Sequence, residues 1–391
     1  MSALMPTYGA PKLAFERGEG AYLFSSDGRR FLDFASGIAV TALGHAHPHL
    51  VETLRSQADK PWHVSNLFRI PEQERAGERL TGACFADMAF FCNSGAEAVE
   101  GGLKMVRRYH AETGHPERYR TITFQGAFHG RTLATISAGK QEKHLKGFGP
   151  QVDGFDQVAF GNLNELRNAI TAETAGILVE PVQGEGGVRV ADADFLRGIR
   201  AVADEYGLLM MVDEVQTGMG RTGRLFAHQW SGVTPDVMAV AKGIAGGFPM
   251  GAVLTTEAVG RHMTAGSHGS TFGGNPLASA VSNAVLDVVL ADGFLDGVAA
   301  IARKLRSRVE TLVKANPTVF REVRGSGLLL GVVCEVPNTE VVAAAQEEGL
   351  LLVPAGDNVV RLLPPLIIGD AQVEEAATLL DRVAARCAPT G

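Results

Sequence analysis

Apolar residues in this chain fall into short, uninterrupted runs that stop abruptly at polar or glycine-rich turns. Five segments share the pattern: Met88–Cys92 before NSGAE, Thr121–Phe124 before QGAFHGR, Gly176–Val179 before EPVQGEGG, Leu208–Val212 before DEVQTG, and Val237–Ala241 before KGIAGG. Near-continuous apolar runs of this length fit strands buried on both faces. Between them lie segments with helical spacing, such as Ala96–Tyr109 and Phe195–Tyr206. Strands alternating with helices predict an α/β fold built on a mostly parallel, doubly wound sheet. Ligands of such sheets bind at the carboxyl ends of the strands, where all five turns lie. From about Asp292 the pattern changes. Helix Val298–Ala315 leads to RGSGLLLGVV and VVRLLPPLII, which predicts a smaller α+β lobe. YLFSSDGRRFLDF reads as a hairpin around Asp27-Gly28 and is expected to pack on that lobe. The expected division is an N-terminal segment over 1–44, a large domain over 45–290 and a small domain over 291–391.

Composition narrows the functional classes. With 391 residues, 46% hydrophobic and 20% charged, the chain has the balance of a globular protein with room for two lobes. A net charge of −7 without any Lys/Arg block argues against nucleic acid as a partner. The start, MSALMPTYGAPK, lacks the basic-then-apolar order of a secretory signal. No stretch approaches the ~18 apolar residues of a membrane span. Cys84, Cys92, Cys334 and Cys387 form no C-x-x-C pair, so a reducing cytoplasm is the expected compartment.

The segment AVAKGIAGGFPMGAV holds a single charge, Lys242. Two readings compete: a strand-end lysine with its tip in solvent, or an amine nucleophile in a dry pocket. Asp213 bears on the choice, because it follows an apolar strand 29 positions earlier, one strand–helix–strand excursion away. It is either a helix cap or a buried carboxylate that needs a cation. A lysine facing a buried carboxylate suits pyridoxal phosphate, whose ring nitrogen an acid keeps protonated. That cofactor needs a phosphate site, and Ser94-Gly95-Ala96 before a helix offers free N–H groups at a helix N-terminus. Ser270 and Thr271 in HGSTFGGNP add hydroxyl donors, and Phe128 could cover the ring or simply join the core. Arg131 suits a substrate carboxylate. His45, His47 and His49 alternate in GHAHPHL, but no carboxylate or thiolate cluster joins them, and no metal is expected. VQGEGG lacks the G-x-G-x-x-G of a dinucleotide loop.

GIAVTALGHAHP, FFCNSGAEAVE, FHGRT, VEPVQGEGG, DEVQTGMGRTG, the AKG lysine, HGSTFGGNPLA and VRLLPPL occur in that order along nearly the whole chain. Together they resemble the class III (fold type I) pyridoxal-phosphate aminotransferases. The resemblance implies that Lys242 carries the cofactor covalently and that Asp213 meets its pyridine nitrogen. It implies Gln216 near the phenolic oxygen, with Glu214 and Val215 of the same turn also against the cofactor, and Phe128 on the ring. Gly95 and Ala96 are expected to hold the phosphate through backbone N–H groups, helped by Thr271 from a second subunit of a homodimer. Arg131, with Ser270 nearby, is implied to grip a substrate carboxylate. Glu185 and Arg361 are implied to form a switching ion pair that masks or frees the arginine. The similarity is greatest to members acting on N2-acetylornithine, with 2-oxoglutarate as amino acceptor, in arginine biosynthesis. Gly37 leaves room for an N-acyl group in a stretch where relatives preferring free ornithine carry an aromatic. Ornithine, succinylornithine or succinyl-diaminopimelate as donor, and more remotely an aminomutase or decarboxylase, stay open.

Overall fold

Seven strands form the central sheet: β1 (Met88–Cys92), β2 (Arg120–Phe124), β3 (Phe155–Val158), β4 (Thr174–Val179), β5 (Leu209–Asp213), β6 (Val237–Val240) and β7 (Gly251–Thr255). The computed structural model describes residues 3–9 and 13–389. The sheet order is β1-β7-β6-β5-β4-β2-β3, with β7 antiparallel to both neighbours and the other six strands parallel. The side chains of β5 alternate between two cores, as strand geometry requires. Met210 and Val212 join Phe195, Ile199 and Val202 of the helix Ala193–Tyr206, together with Val281 and Val285 of Pro276–Val289. Leu209 and Met211 face the other way, onto Val99, Leu103 and Val106 of the helix Gly95–Glu112. Both faces are therefore covered, and each fully buried large aliphatic side chain stabilises the fold by about 1.5–3 kcal/mol.

The strand alternation read from the sequence omits β3 and β7. β3 is the edge strand FDQV, paired on one side only, so it lacks a continuous apolar run. β7 returns from β6 after a short 3-10 turn at Lys242–Ala245. Ten intervening residues are too few for a crossover helix, which makes the antiparallel direction a consequence of chain length.

The smaller lobe has an antiparallel sheet in the order Phe320–Ser326, Leu329–Cys334, Val359–Leu362, Val353–Ala355. Helices Phe294–Ala315 and Asp370–Cys387 cover it, and Leu305, Leu330, Val360, Leu362 and Leu380 share its core. Tyr22–Ser25 pairs with Arg30–Asp33 around the Asp27-Gly28 turn, and Arg30–Asp33 runs parallel to Leu350–Leu351, placing Leu32 and Phe34 in the same core. Buried Arg221 ties the lobes by donating to the carbonyls of Leu328 and Pro364. Among the described residues no helix is long and apolar enough to cross a membrane.

Candidate active site

The parallel register Val179↔Val212 and Asp213↔Ala239 brings the carboxyl ends of β4, β5 and β6 to one edge of the sheet. A cavity of about 450 Å3 opens there, within the range of small-molecule sites. Glu180, Asp213 and Lys242, each at or just beyond the end of one of these strands, all line it.

Lys242 begins the turn after β6 with φ +48°, a left-handed conformation costly for a side chain and typical of functional positions. Burial at the cavity floor brings its ammonium down to about 8, against the opposing pull of Glu185 and Asp213. Part of the population is therefore a free, nucleophilic amine near neutral pH. Lys242 is half-buried and its side chain faces this cavity together with Glu180 and Asp213.

Asp213 ends β5 and is buried. No helix starts after it. Oδ1 accepts the Val215 N–H at 3.0 Å, and Oδ2 lies 2.8 Å from His129 Nδ1. The His129 ring is fully enclosed, lines the cavity, and its Nε2 has no hydrogen-bond partner among the described residues. His129 stands inside the FHGRT segment, where nothing in the sequence alone marks it as a partner of Asp213. Glu180 carries the same sequence signal as Asp213, an acid directly after an apolar strand. Glu180 Oε2 accepts the Phe128 N–H at 3.1 Å. Burial, followed by the charge of Asp213, pushes the Glu180 carboxyl well above the usual carboxylate range.

At the opposite wall, Ser94 caps the helix Gly95–Glu112 by accepting the Glu97 N–H on its side chain. The N–H groups of Gly95 and Ala96, the first two of that helix, have no intrahelical acceptor and border the cavity. A Cβ at Gly95 would lie 2.7 Å from Val215 Cγ1, so only glycine lets the β5 turn pack this close. Phe128 also lines the cavity, with the Arg131 guanidinium 5.6 Å from its ring centroid. Arg131 is exposed and forms no ion pair with a carboxylate among the described residues, which leaves it available to an anionic ligand.

Glu185 reaches the cavity from the tip of the hairpin Val182–Gln183/Arg189–Val190. Its Oε1 lies 2.7 Å from Nη1 of Arg361, a buried arginine on the small-lobe strand Val359–Leu362. Arg361 Nη2 donates to Pro354 O at 3.0 Å, Nη1 sits 3.5 Å from Gln216 Oε1, and Nε is buried without a partner. A side chain at Gly184 would collide with the Gln216 amide, so glycine is what allows Gln216 to lie beside this pair.

Several expected contacts are placed elsewhere. Glu214 does not line the cavity. Its carboxylate accepts from Thr217 Oγ1 and from the backbone N–H groups of Ala227 and His228, and it lies 3.0 Å from His228 Nδ1. These contacts brace the turn after β5. Ser270 is one layer back, with its Oγ on the amide of the cavity residue Asn93. Thr271 is exposed and lies outside the lining of this cavity. Gly37 is likewise outside the lining, and Val40 from the same stretch takes that place. His45 bonds Asp33 and His49 bonds Asp287, each at the end of a side-chain pair rather than around a common centre.

The donor set fits pyridoxal phosphate. A helix N-terminus suits the dianion, Asp213 suits a protonated ring nitrogen, Phe128 suits a ring face, and Lys242 suits the carbonyl. The class-III aminotransferase family model matches residues 5–384. The chain belongs to this family. It is 60% identical to the acetylornithine aminotransferase of Brucella melitensis over 373 residues, covering 95% of this chain and 93% of that one. The solved N-acetylornithine aminotransferase of Stenotrophomonas maltophilia superposes with a TM-score of 0.85 at 37% identity, covering 97% of each chain. The ornithine aminotransferase of Toxoplasma gondii, whose structure has pyridoxal phosphate partly occupying its active site, gives 0.94 at 30% identity, covering 98% and 92%.

Proposed function

We propose that this class-III aminotransferase uses pyridoxal phosphate to move the terminal amino group of N2-acetyl-L-ornithine to 2-oxoglutarate. The products are N-acetyl-L-glutamate 5-semialdehyde and L-glutamate, a step of arginine biosynthesis. The observation that carries the reading is the buried Arg361–Glu185 pair on the wall of the Lys242 cavity. One pocket must serve a donor whose acylated end is uncharged in its amide and an acceptor with two carboxylates. With the pair closed, Arg361 is masked. With Glu185 displaced, Arg361 is free to take the second carboxylate of the acceptor. High identity to acetylornithine aminotransferases supports the choice of donor over free ornithine or succinyl-diaminopimelate.

The cofactor supplies a carbonyl for the incoming amine and an electron sink for the carbon–hydrogen bond that breaks. Lys242 carries the cofactor and then, once released, takes and returns the proton at the amine-bearing carbon. Asp213, oriented by His129 and the Val215 N–H, holds the ring nitrogen protonated. Gly95 and Ala96 would hold the phosphate, Val215 and Phe128 would line the ring's site, and Gln216 would meet the phenolic oxygen. Arg131 takes the carboxylate remote from the reacting carbon, which is the α-carboxylate of acetylornithine and the distal one of 2-oxoglutarate.

Arg361→Ala is expected to slow the half-reaction with 2-oxoglutarate by about ten- to a hundredfold, the loss of one charge-assisted contact of roughly 1.5–3 kcal/mol. The acetylornithine half-reaction should be far less affected, and Glu185→Gln should favour glutamate over the acylated donor. Single-turnover rates for each half separate these outcomes. Equal loss in both halves for Arg361→Ala would show a general structural role.

The reading also includes a cytoplasmic homodimer with shared sites and a large domain flanked by an N-terminal segment and a small domain. The segment carrying exposed Trp62, Leu67 and Phe68 is tied to the loop of exposed Thr271 and Phe272 by the Asn66 amide on Ser270 O and Gly273 O and by the His63 ring against Phe272. An apolar patch of this kind next to an unused hydroxyl suits a second copy that receives Thr271 at its phosphate. Mixing inactive Lys242→Ala with an inactive Thr271 variant should restore activity, since each heterodimer carries one site with both native residues. No recovery under conditions that exchange subunits would place the whole site within one chain.

A further inference from the structure

Glu180 forms no close ion pair among the described residues. Yet it is buried at the end of β4, in the strand next to Asp213. Among the described residues its one hydrogen bond is the Phe128 N–H to Oε2, which leaves Oε1 for the cavity. The charged groups facing it are Asp213 from β5, Lys242 from the turn after β6, and Glu185 from the hairpin. Two carboxyl groups on adjacent buried strand ends cannot both ionise cheaply. The surroundings decide which one does. Asp213 receives the Val215 N–H and the His129 ring, whereas Glu180 receives one backbone N–H.

We propose that Glu180 is a positioning residue kept as a neutral carboxylic acid, so that Asp213 is the sole anion at the ring-nitrogen site. Its carbonyl oxygen holds the Phe128 N–H, and with it the turn carrying both Phe128 and His129. Its acid proton sits on Oε1, so the group can donate a hydrogen bond into the cavity, which an ionised carboxylate cannot do. The cause is geometric: a buried carboxyl with no ion pair, beside a neighbour of the same charge that receives more hydrogen bonds. A second anion here would hold Lys242 and any bound cationic nitrogen in their charged forms and blunt the selectivity of Asp213. The proposal rests on the assignment of Lys242 and Asp213 above.

The test compares holoenzyme, wild type and Glu180→Gln, by infrared difference spectroscopy and by pH titration of the bound cofactor's visible band. Glutamine keeps one acceptor and one donor and removes only the capacity to ionise. The expected difference spectrum contains the carbonyl stretch of a protonated acid, lost in the variant, with no carboxylate band lost. The visible band should titrate within about half a pH unit of wild type, because no charge has been removed. A lost carboxylate band, with a titration midpoint lowered by about one unit or more, would overturn the proposal, since removing a nearby anion destabilises a protonated nitrogen. Should Glu180→Gln fail to fold, wild-type holoenzyme grown with carboxyl-13C glutamate answers the same question. An isotope-shifted protonated-acid band at neutral pH supports the proposal, and its absence overturns it. Failure of the underlying assignment is distinguishable, because a visible cofactor band that persists in Lys242→Ala contradicts that assignment without touching the infrared result.

Discussion

Replacing Lys242 with alanine is expected to leave a folded protein that has lost the covalent hold on its cofactor, the visible band that goes with it, and nearly all turnover. The side chain is asked to do two things. Its amine carries the cofactor, and the same amine, once free, shuttles the proton at the reacting carbon. Cavity burial prepares it for both by bringing the ammonium down to about 8. No other lysine lines the cavity among the described residues, so nothing stands ready to replace it. The expected loss in kcat is about three orders of magnitude or more, which corresponds to about 4 kcal/mol of transition-state stabilisation. Truncation opens space at a left-handed position without burying a new polar group, so folding should survive. Circular dichroism checks the fold, the absorbance spectrum checks the cofactor, and steady-state rates check the chemistry. A variant that kept its visible band and more than about one percent of activity would remove Lys242 from the centre of the site.

Asp213→Asn carries the second large effect. The amide preserves the shape of the side chain and can still accept the Val215 N–H, but it cannot hold a ring nitrogen protonated. Breaking one partner of a buried ionic contact costs about 3–5 kcal/mol, or roughly two to four powers of ten in rate. The cofactor should remain bound, because the helix start at Gly95–Ala96 and the Lys242 amine are untouched. Single-turnover mixing with acetylornithine should show amine binding at near-normal rate and the proton-transfer step slowed. Near-normal turnover would mean that Asp213 only braces the turn through Val215 and His129.

The strands flanking the site were legible because buried parallel strands announce themselves as unbroken apolar runs ending at chemically unusual turns. β7 was hidden by the glycine- and proline-rich approach from Lys242, and β3 by its half-polar edge position. The cavity residues show a similar division. Lys242 and Asp213 stood out as charges placed where apolar neighbours make charge costly, and both line the cavity. Glu180 gave the same local signal after β4, yet its meaning depends on which strand lies beside it, and only the sheet order supplies that. His129 was equally opaque, since a histidine beside a phenylalanine says nothing about an aspartate 84 positions away. Glu214 marks the converse limit. The family resemblance implies Glu214 against the cofactor, whereas its carboxylate turns into the Thr217–His228 network. Arg361 and Glu185 were paired by family resemblance alone, because they lie 176 positions apart on different lobes.

The central claim is that one cavity moves a terminal nitrogen from an acylated ornithine to 2-oxoglutarate. It is tested most directly by incubating the holoenzyme with N2-acetylornithine labelled with 15N only at its terminal amine, together with unlabelled 2-oxoglutarate, and following the label by NMR. The account predicts [15N]glutamate formed in step with N-acetylglutamate semialdehyde, at a higher kcat/KM than with ornithine or succinyl-diaminopimelate as donor. Glutamate without label, or a clear preference for free ornithine, would contradict it.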